Sequence, residues 1–396
     1  MNMSKEILIK KICLEGSCKV KAYISISGSE EIIVTEYSSN VADYISIARA
    51  DAVVTGLLVF AIHHRLDIKS EVPLSETFYY KLTHHFLPGI CCGDLYMPRI
   101  TAEVLPDEVF SADAKIVATG ISCGVDSLYS VMEHTHDVSN EMKLTHLVFL
   151  NAGAHHFGTR EQGDALYEGR KERARSFSET NGLPLVEIST NFPEIVDKYG
   201  SYDHLCNHTY MMLLCILPIQ HGVKKYYYSA GYPYSDFSCR PKGQFLPPAA
   251  HYDLFILWLA SNKNIEFYST GGSLTRFDKV KSLKGYKPGE DYLNVCVTSV
   301  DNCGECFKCK RTLLELDAAG SLDNYGKVFD VDAYKAVRRA RILEGYRGAV
   351  KGDDLLLEMM PFFKAEISPS ARLAQRVRVF IGKVCAIRHK LYGRKR

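Results

Sequence analysis

Short apolar runs that alternate with helical stretches, from Lys115 onward, limit the fold of this chain more than any other feature. A run at 116–121 precedes a helical stretch at 126–134, and a second run at 147–151 precedes a charged helix at about 161–181. Gly182, Leu183 and Pro184 lead into a strand at 185–188, and a helix at about 204–217 leads into a strand at 225–230. Strands separated by helices need crossover connections, so the pattern predicts an α/β fold with a parallel, doubly wound sheet and helices on both faces. Ligands on such sheets bind beyond the carboxyl ends of the strands. Residues that directly follow a strand are therefore the first candidates for chemistry.

The first 110 residues follow another pattern. β-Branched runs at 7–12, 19–26 and 32–37 are split by Gly16-Ser17 and Ser27-Gly28-Ser29, which are turn signals. Helical stretches at about 42–64 and 74–86 and a strand at 99–104 follow. The segment 1–110 is read as a separate N-terminal α+β domain that shapes substrate binding or dimerises the chain into a homo-oligomer. The polar segment 106–113 is its junction with the α/β domain at 114–320, and 321–396 is a helical C-terminal region.

At 396 residues, 46% hydrophobic and 24% charged, the chain can support several cores, and its composition excludes a disordered or fibrous protein. Its net charge of +2 is unevenly spread. Nine of the 48 Lys/Arg fall within 367–396, which holds no acidic residue; the other 39 face 46 Asp/Glu, leaving the body negative by seven. The start lacks the apolar core of a secretion signal, and the most apolar stretch, 52–62, is about half a bilayer span. A cytoplasmic protein is expected.

Ser122-Cys123-Gly124-Val125-Asp126-Ser127 lies between a strand and a helix. Small residues let backbone N–H groups approach a phosphate, the helix N-terminus adds its positive dipole end, and the hydroxyls donate further hydrogen bonds. The plainer reading is a strand-to-helix turn with Ser and Asp as caps. No Gly-Lys-Ser/Thr follows, so this is not a Walker A loop.

Cys296, Cys303, Cys306 and Cys309 form a C-x6-C-x2-C-x2-C cluster. Four thiolates close a tetrahedral Zn²⁺ shell, and x2 spacings let one tight turn present several sulfurs. An iron–sulfur cluster takes the same ligands. A closed shell would be structural.

Ser122 to Ser127 resembles the SGGxDS fingerprint of the PP-loop ATP pyrophosphatase superfamily, with Cys123 where the family has Gly. The cysteine spacing and the following Arg311-Thr312-Leu313-Leu314 are similar to those of 7-cyano-7-deazaguanine synthase-type proteins, and the resemblance covers about 116–316. It implies an adenine nucleotide alpha hydrolase-like fold that binds ATP and Mg²⁺, with Zn²⁺ in the knuckle at 296–309. Ser122, Cys123, Gly124, Val125, Asp126 and Ser127 would hold the pyrophosphate, Asp126 through magnesium. Asn151 would seat the adenosine, and Gly231 would close the fourth-strand region. Lys279, in Arg276-Phe277-Asp278-Lys279, would reach a phosphate, so Asp126, Ser127 and Lys279 are the catalytic set. The implied reaction adenylates a small-molecule substrate, releasing pyrophosphate, before a nitrogen nucleophile displaces AMP to give an amide- or nitrile-type bond. A Cys at 123 requires either that the backbone avoid positive φ or that the nucleotide sit differently. Together with the added N-terminal segment, it argues against deazaguanine synthesis itself. A tRNA-modifying enzyme and a non-catalytic nucleotide-binding protein are the alternatives.

Other residues divide between chemistry and packing. His155 and His156 follow a strand beside the expected nucleotide. His204 and His208 share a helical face without the Glu of a zincin, which favours packing. Cys239 reads as a buried thiol rather than a sulfur-transfer nucleophile. The tail at 371–391 spaces Leu373, Val377, Phe380, Ile381, Val384 and Ile387 as one helical face among Arg and Lys. Such a basic amphipathic helix fits RNA phosphates, an anionic membrane surface or the acidic body of its own chain.

Overall fold

The computed structural model describes residues 5–109, 115–136, 138–155, 160–241, 243 and 245–392. They form two compact units, Met1–Ser122 with Ser130–Ser273, and Cys123–Tyr129 with Leu274–Arg396.

The first unit is built on twelve strands: β1 (Glu6–Glu15), β2 (Lys19–Ile26), β3 (Ser29–Tyr37), β4 (Asp67–Ser70), β5 (Leu74–Ser75), β6 (Ile100–Thr101), β7 (Val104–Leu105), β8 (Ile116–Gly120), β9 (His146–Asn151), β10 (Leu185–Thr190), β11 (Val223–Ser229) and β12 (Glu266–Thr270). Ten of them make one sheet in the order β12-β11-β8-β9-β10-β3-β2-β1-β4-β6, and β5 pairs with β7 apart from it. The segment from β8 to β12 is parallel throughout. From β8 the chain moves to β9 and β10 on one side, then returns to lay β11 and β12 on the other. The winding direction reverses between β8 and β11, and it is at the carboxyl ends of such a switch point that open parallel sheets bind ligands.

Burial follows from this arrangement. Strand β8 is almost wholly buried, as expected of a parallel strand covered on both faces. Strands β1 to β3 are antiparallel, and β2 buries Val20, Ala22, Ile24 and Ile26 on alternate positions. Ser27 and Gly28, at φ 49° and 93°, form a two-residue hairpin turn whose twist suits the strands it joins. The N-terminal strands continue the main sheet through β3, antiparallel to β10. Asn191 extends that ladder: its Oδ1 accepts the Val34 N–H at 2.8 Å, and its Nδ2 donates to the Ile32 carbonyl at 3.0 Å.

The helical stretch expected at 42–64 is divided into a 3₁₀ turn at Ser39–Tyr44 and a buried helix at Asp51–His64. Between them, Ser46 and Ala50 donate N–H groups to the carbonyls of Pro218 and Pro73, so tertiary partners replace helical ones. The stretch expected at 74–86 begins as β5 and becomes helical from Glu76.

The second unit is helical. Residues Arg276–Ser282, Lys287–Tyr292, Phe307–Ala318, Val331–Lys351, Met360–Glu366 and Pro369–Tyr392 are helices. Its core includes Val280, Leu313, Leu316, Tyr346 and Phe363. A Cβ on Gly345 would lie 2.9 Å from both Leu314 and Phe363, so close helix packing requires glycine there. No helix among the described residues is long and apolar enough to cross a membrane.

Asp51 opens a buried helix and accepts the Ser75 N–H at 3.0 Å. Burial raises its carboxyl from 3.8 to about 6. A raised carboxylate favours folding when protonated, so its penalty grows as pH rises from 3.8 through 6. Asp51→Asn should therefore be more stable than the parent at pH 7.5, by up to about 3 kcal/mol, with the difference vanishing near pH 4. Urea melts at the two pH values measure this; a difference independent of pH would contradict it.

Candidate functional site

The loop after β8 is held in an unusual backbone conformation. Cys123 is buried and sits at φ 55°, in the left-handed region that costs a non-glycine residue roughly 1–2 kcal/mol. The backbone thus does not avoid positive φ: Cys occupies the conformation that a glycine would adopt freely. Its carbonyl is fixed by the Asn294 N–H at 2.8 Å. The next carbonyl, of Gly124, accepts the Leu128 N–H at 3.0 Å and the Ser127 hydroxyl at 3.1 Å, closing the first turn of the helix Val125–Thr135. Val125 is buried within that turn.

Asp126 points from this turn into a cluster of charges. Its Oδ1 is 3.0 Å from Lys279 Nζ, and its Oδ2 is 3.2 Å from Arg276 Nη1. The Lys279 side chain is 1% exposed and that of Arg276 10%, whereas Asp126 keeps 28%, so the cations are buried and the carboxylate they share still reaches solvent. A capping box between Thr275 and Asp278 fixes the start of the helix that carries both cations. Arg276 Nη2 also donates to Thr312 Oγ1 at 3.3 Å. Behind it lies the fully buried Glu315, whose Oε1 is 3.2 Å from Arg276 Nε and 3.6 Å from Arg311 Nε. These are ion-pair distances, yet neither N–H is aligned for a hydrogen bond, and both Glu315 oxygens lack one among the described residues. The Glu358 carboxylate accepts the Phe277 N–H at 2.7 Å.

The charges set one another's protonation. Burial pushes the Asp126 carboxyl up, but Lys279 and Arg276, with Arg311 behind them, hold it below the usual carboxylate range. Burial dominates at Glu315 and Glu358, which are raised. Arg311 is lowered by burial and by its neighbour Arg276. Three basic side chains therefore converge around one carboxylate that is firmly ionised.

The other expected residues lie in the first unit. Ser122 is exposed just beyond β8, Asn151 ends β9, and Gly231 follows β11, so all three line the carboxyl edge of the parallel strands. His155 is buried, with the Phe149 and Tyr167 rings 5.7 and 5.5 Å away; burial lowers it to about 3. His156 lies outside the described residues. His208 shares a 2.6 Å hydrogen bond with the Tyr228 hydroxyl, and burial lowers it too to about 3. Both histidines are thus neutral near pH 7. Burial raises the Cys239 thiol to about 11, which leaves it protonated. Arg276, Arg311, Glu315 and Glu358 carried no role of their own in the sequence reading. The one local sign was Glu315, a charge set among Leu313, Leu314 and Leu316 in a helix.

The four cysteines meet as their spacing predicts. All four sulfurs lie within 4.8 Å of one another, with the Cys303–Cys309 and Cys296–Cys306 pairs each 4.0 Å apart. Bonds of about 2.3 Å to a central Zn²⁺ require separations close to these. Backbone N–H groups of Cys306 and Cys309 point at the sulfurs of Cys303 and Cys306, and Gly304 supplies the positive φ of the turn. Asn302 secures the knuckle: its Oδ1 accepts the Val295 N–H, and its Nδ2 donates to the carbonyls of Leu293 and Val328. Burial pushes the Cys296 thiol up, but hydrogen bonds from Thr298 and Cys303 outweigh it and bring the group down to about 6. The cluster is thus arranged to hold a metal such as zinc. Cys309 also lies on the helix Phe307–Ala318 that carries Arg311, Thr312 and Glu315, so a metal here would fix the helix behind Asp126.

No family model, curated protein or solved structure matches this chain. Fold and chemistry therefore rest on the residues themselves.

Purified protein should carry one zinc per chain by elemental analysis, and Cys309→Ser should lose it together with much of a metal-linked stability that is on the order of 10 kcal/mol in small zinc domains. Because thiolates hold the metal and protons compete for them, zinc should leave on acidification. Iron in its place, or folded metal-free protein, would contradict the assignment.

Proposed function

We propose that the chain is an ATP-using enzyme that forms AMP and pyrophosphate while adenylating a small molecule through a carboxylate- or amide-type oxygen. A nitrogen nucleophile then displaces AMP to leave an amide- or nitrile-type C–N bond. The observation that carries this reading is the convergence of Lys279 and Arg276 on Asp126 in the first turn of a helix that follows a parallel strand.

Each group has a role that follows from its charge and position. The N–H groups at the start of the helix Val125–Thr135 and the Ser127 hydroxyl suit phosphate oxygens. Lys279 and Arg276, with Arg311 adjacent, offset the charge that develops on departing pyrophosphate, and the burial of both cations strengthens that effect. Mg²⁺ bound at Asp126 would neutralise phosphate charge. Glu315 holds the two arginines in place beforehand, which lowers the cost of reorganisation during the reaction. The four-cysteine site, with no open position, serves structure rather than chemistry.

Asp126→Asn preserves shape and removes the charge. Pyrophosphate release in the presence of a metabolite pool should fall by a factor of about 10²–10³, with unchanged circular dichroism and zinc content. Turnover equal to that of the parent would remove Asp126 from the chemistry.

A further inference from the structure

We infer that the C-terminal helix Pro369–Tyr392 is a docking element for an anionic lipid surface. The helix has an inner face: Gln375 and Val379 are buried, and Arg376 Nε donates to the Tyr346 hydroxyl at 3.1 Å. Its outer face is apolar yet uncovered. Leu373 is 64% exposed, Val377 48%, Phe380 67% and Ile381 53%. These four share roughly a third of the helix circumference, a sector wide enough to lie flat in an interface. By sequence spacing, Val384, Ile387 and Leu391 continue the same series.

The charge pattern selects the occupant. Arg372 and Arg376 fall along one flank of the apolar sector by helical spacing and Arg378 along the other, and 367–396 contains nine Lys/Arg and no acidic residue. An apolar strip between cations matches lipid tails below anionic headgroups, where long basic side chains reach outward to the charge. Neither signal is strong alone, but an apolar face and a polybasic flank together give stable attachment. RNA would use the cations and leave Leu373, Val377 and Phe380 exposed without purpose. A second copy of the helix would cover the strip but bring two polybasic segments together, with no acidic residue in 367–396 to offset them.

Vesicle cosedimentation of the full-length protein tests this. With phosphatidylcholine vesicles containing about 30% phosphatidylserine, the protein should pellet at ~0.1 M salt, and it should stay in solution with phosphatidylcholine alone. Raising salt to about 0.5 M should weaken binding several-fold, because the headgroup attraction is screened. Phe380→Asp should partition at least about tenfold less, with an unchanged melting temperature because the side chain is exposed, and Phe380→Leu should bind like the parent. Failure to pellet with anionic vesicles would overturn the inference. So would equal binding by Phe380→Asp, retention of single-stranded RNA in place of vesicles, or a solution dimer that Phe380→Asp dissociates.

Discussion

The ion pairs that Asp126 makes with Lys279 and Arg276 are the constraint on which the second unit depends. Removing charges from water costs several kcal/mol per ion, and mutual attraction offsets that only when the geometry is good. Here two cations meet opposite oxygens of one carboxylate at 3.0 and 3.2 Å. Replacing such a cluster with apolar residues of similar volume is often neutral or stabilising, so stability alone gives no reason for it. A charge cluster placed against a strained strand-to-helix loop makes sense if an anion is bound there.

The remaining elements of that unit position the cluster. The capping box at Thr275 and Asp278 starts the helix of the two cations. The cysteine knuckle starts the helix of Arg311 and Glu315, and Asn294, two residues before Cys296, fixes the Cys123 carbonyl. A metal in the knuckle would therefore act on the cluster indirectly, by holding both the loop and the second layer of charges. The αL backbone at Cys123 is strain that its surroundings must impose, since an isolated Cys would relax.

Legibility in the sequence followed burial. The strands expected at 116–121 and 147–151 were found at Ile116–Gly120 and His146–Asn151, because parallel strands covered on both faces must be continuous apolar runs. The cysteine knuckle was equally plain, because its ligands lie within fourteen residues. Pairing of β3 with β10 left no such mark, since it joins segments about 150 residues apart through backbone groups and Asn191. The charge cluster was only half visible. Asp126 and Lys279 stood out by resemblance, whereas Arg276, Arg311, Glu315 and Glu358 gain meaning only when distant helices bring them together.

The most direct test of the account is the phosphorus NMR spectrum of ATP and Mg²⁺ incubated with the zinc-loaded protein and a mixture of small carboxylic acids and ammonium. Cleavage between the α- and β-phosphates must produce AMP and pyrophosphate signals in equal amounts, growing only when an acceptor is present. ADP and orthophosphate instead, or an unchanged ATP spectrum across acceptor pools that include amides and nucleobase acids, would contradict the assigned chemistry.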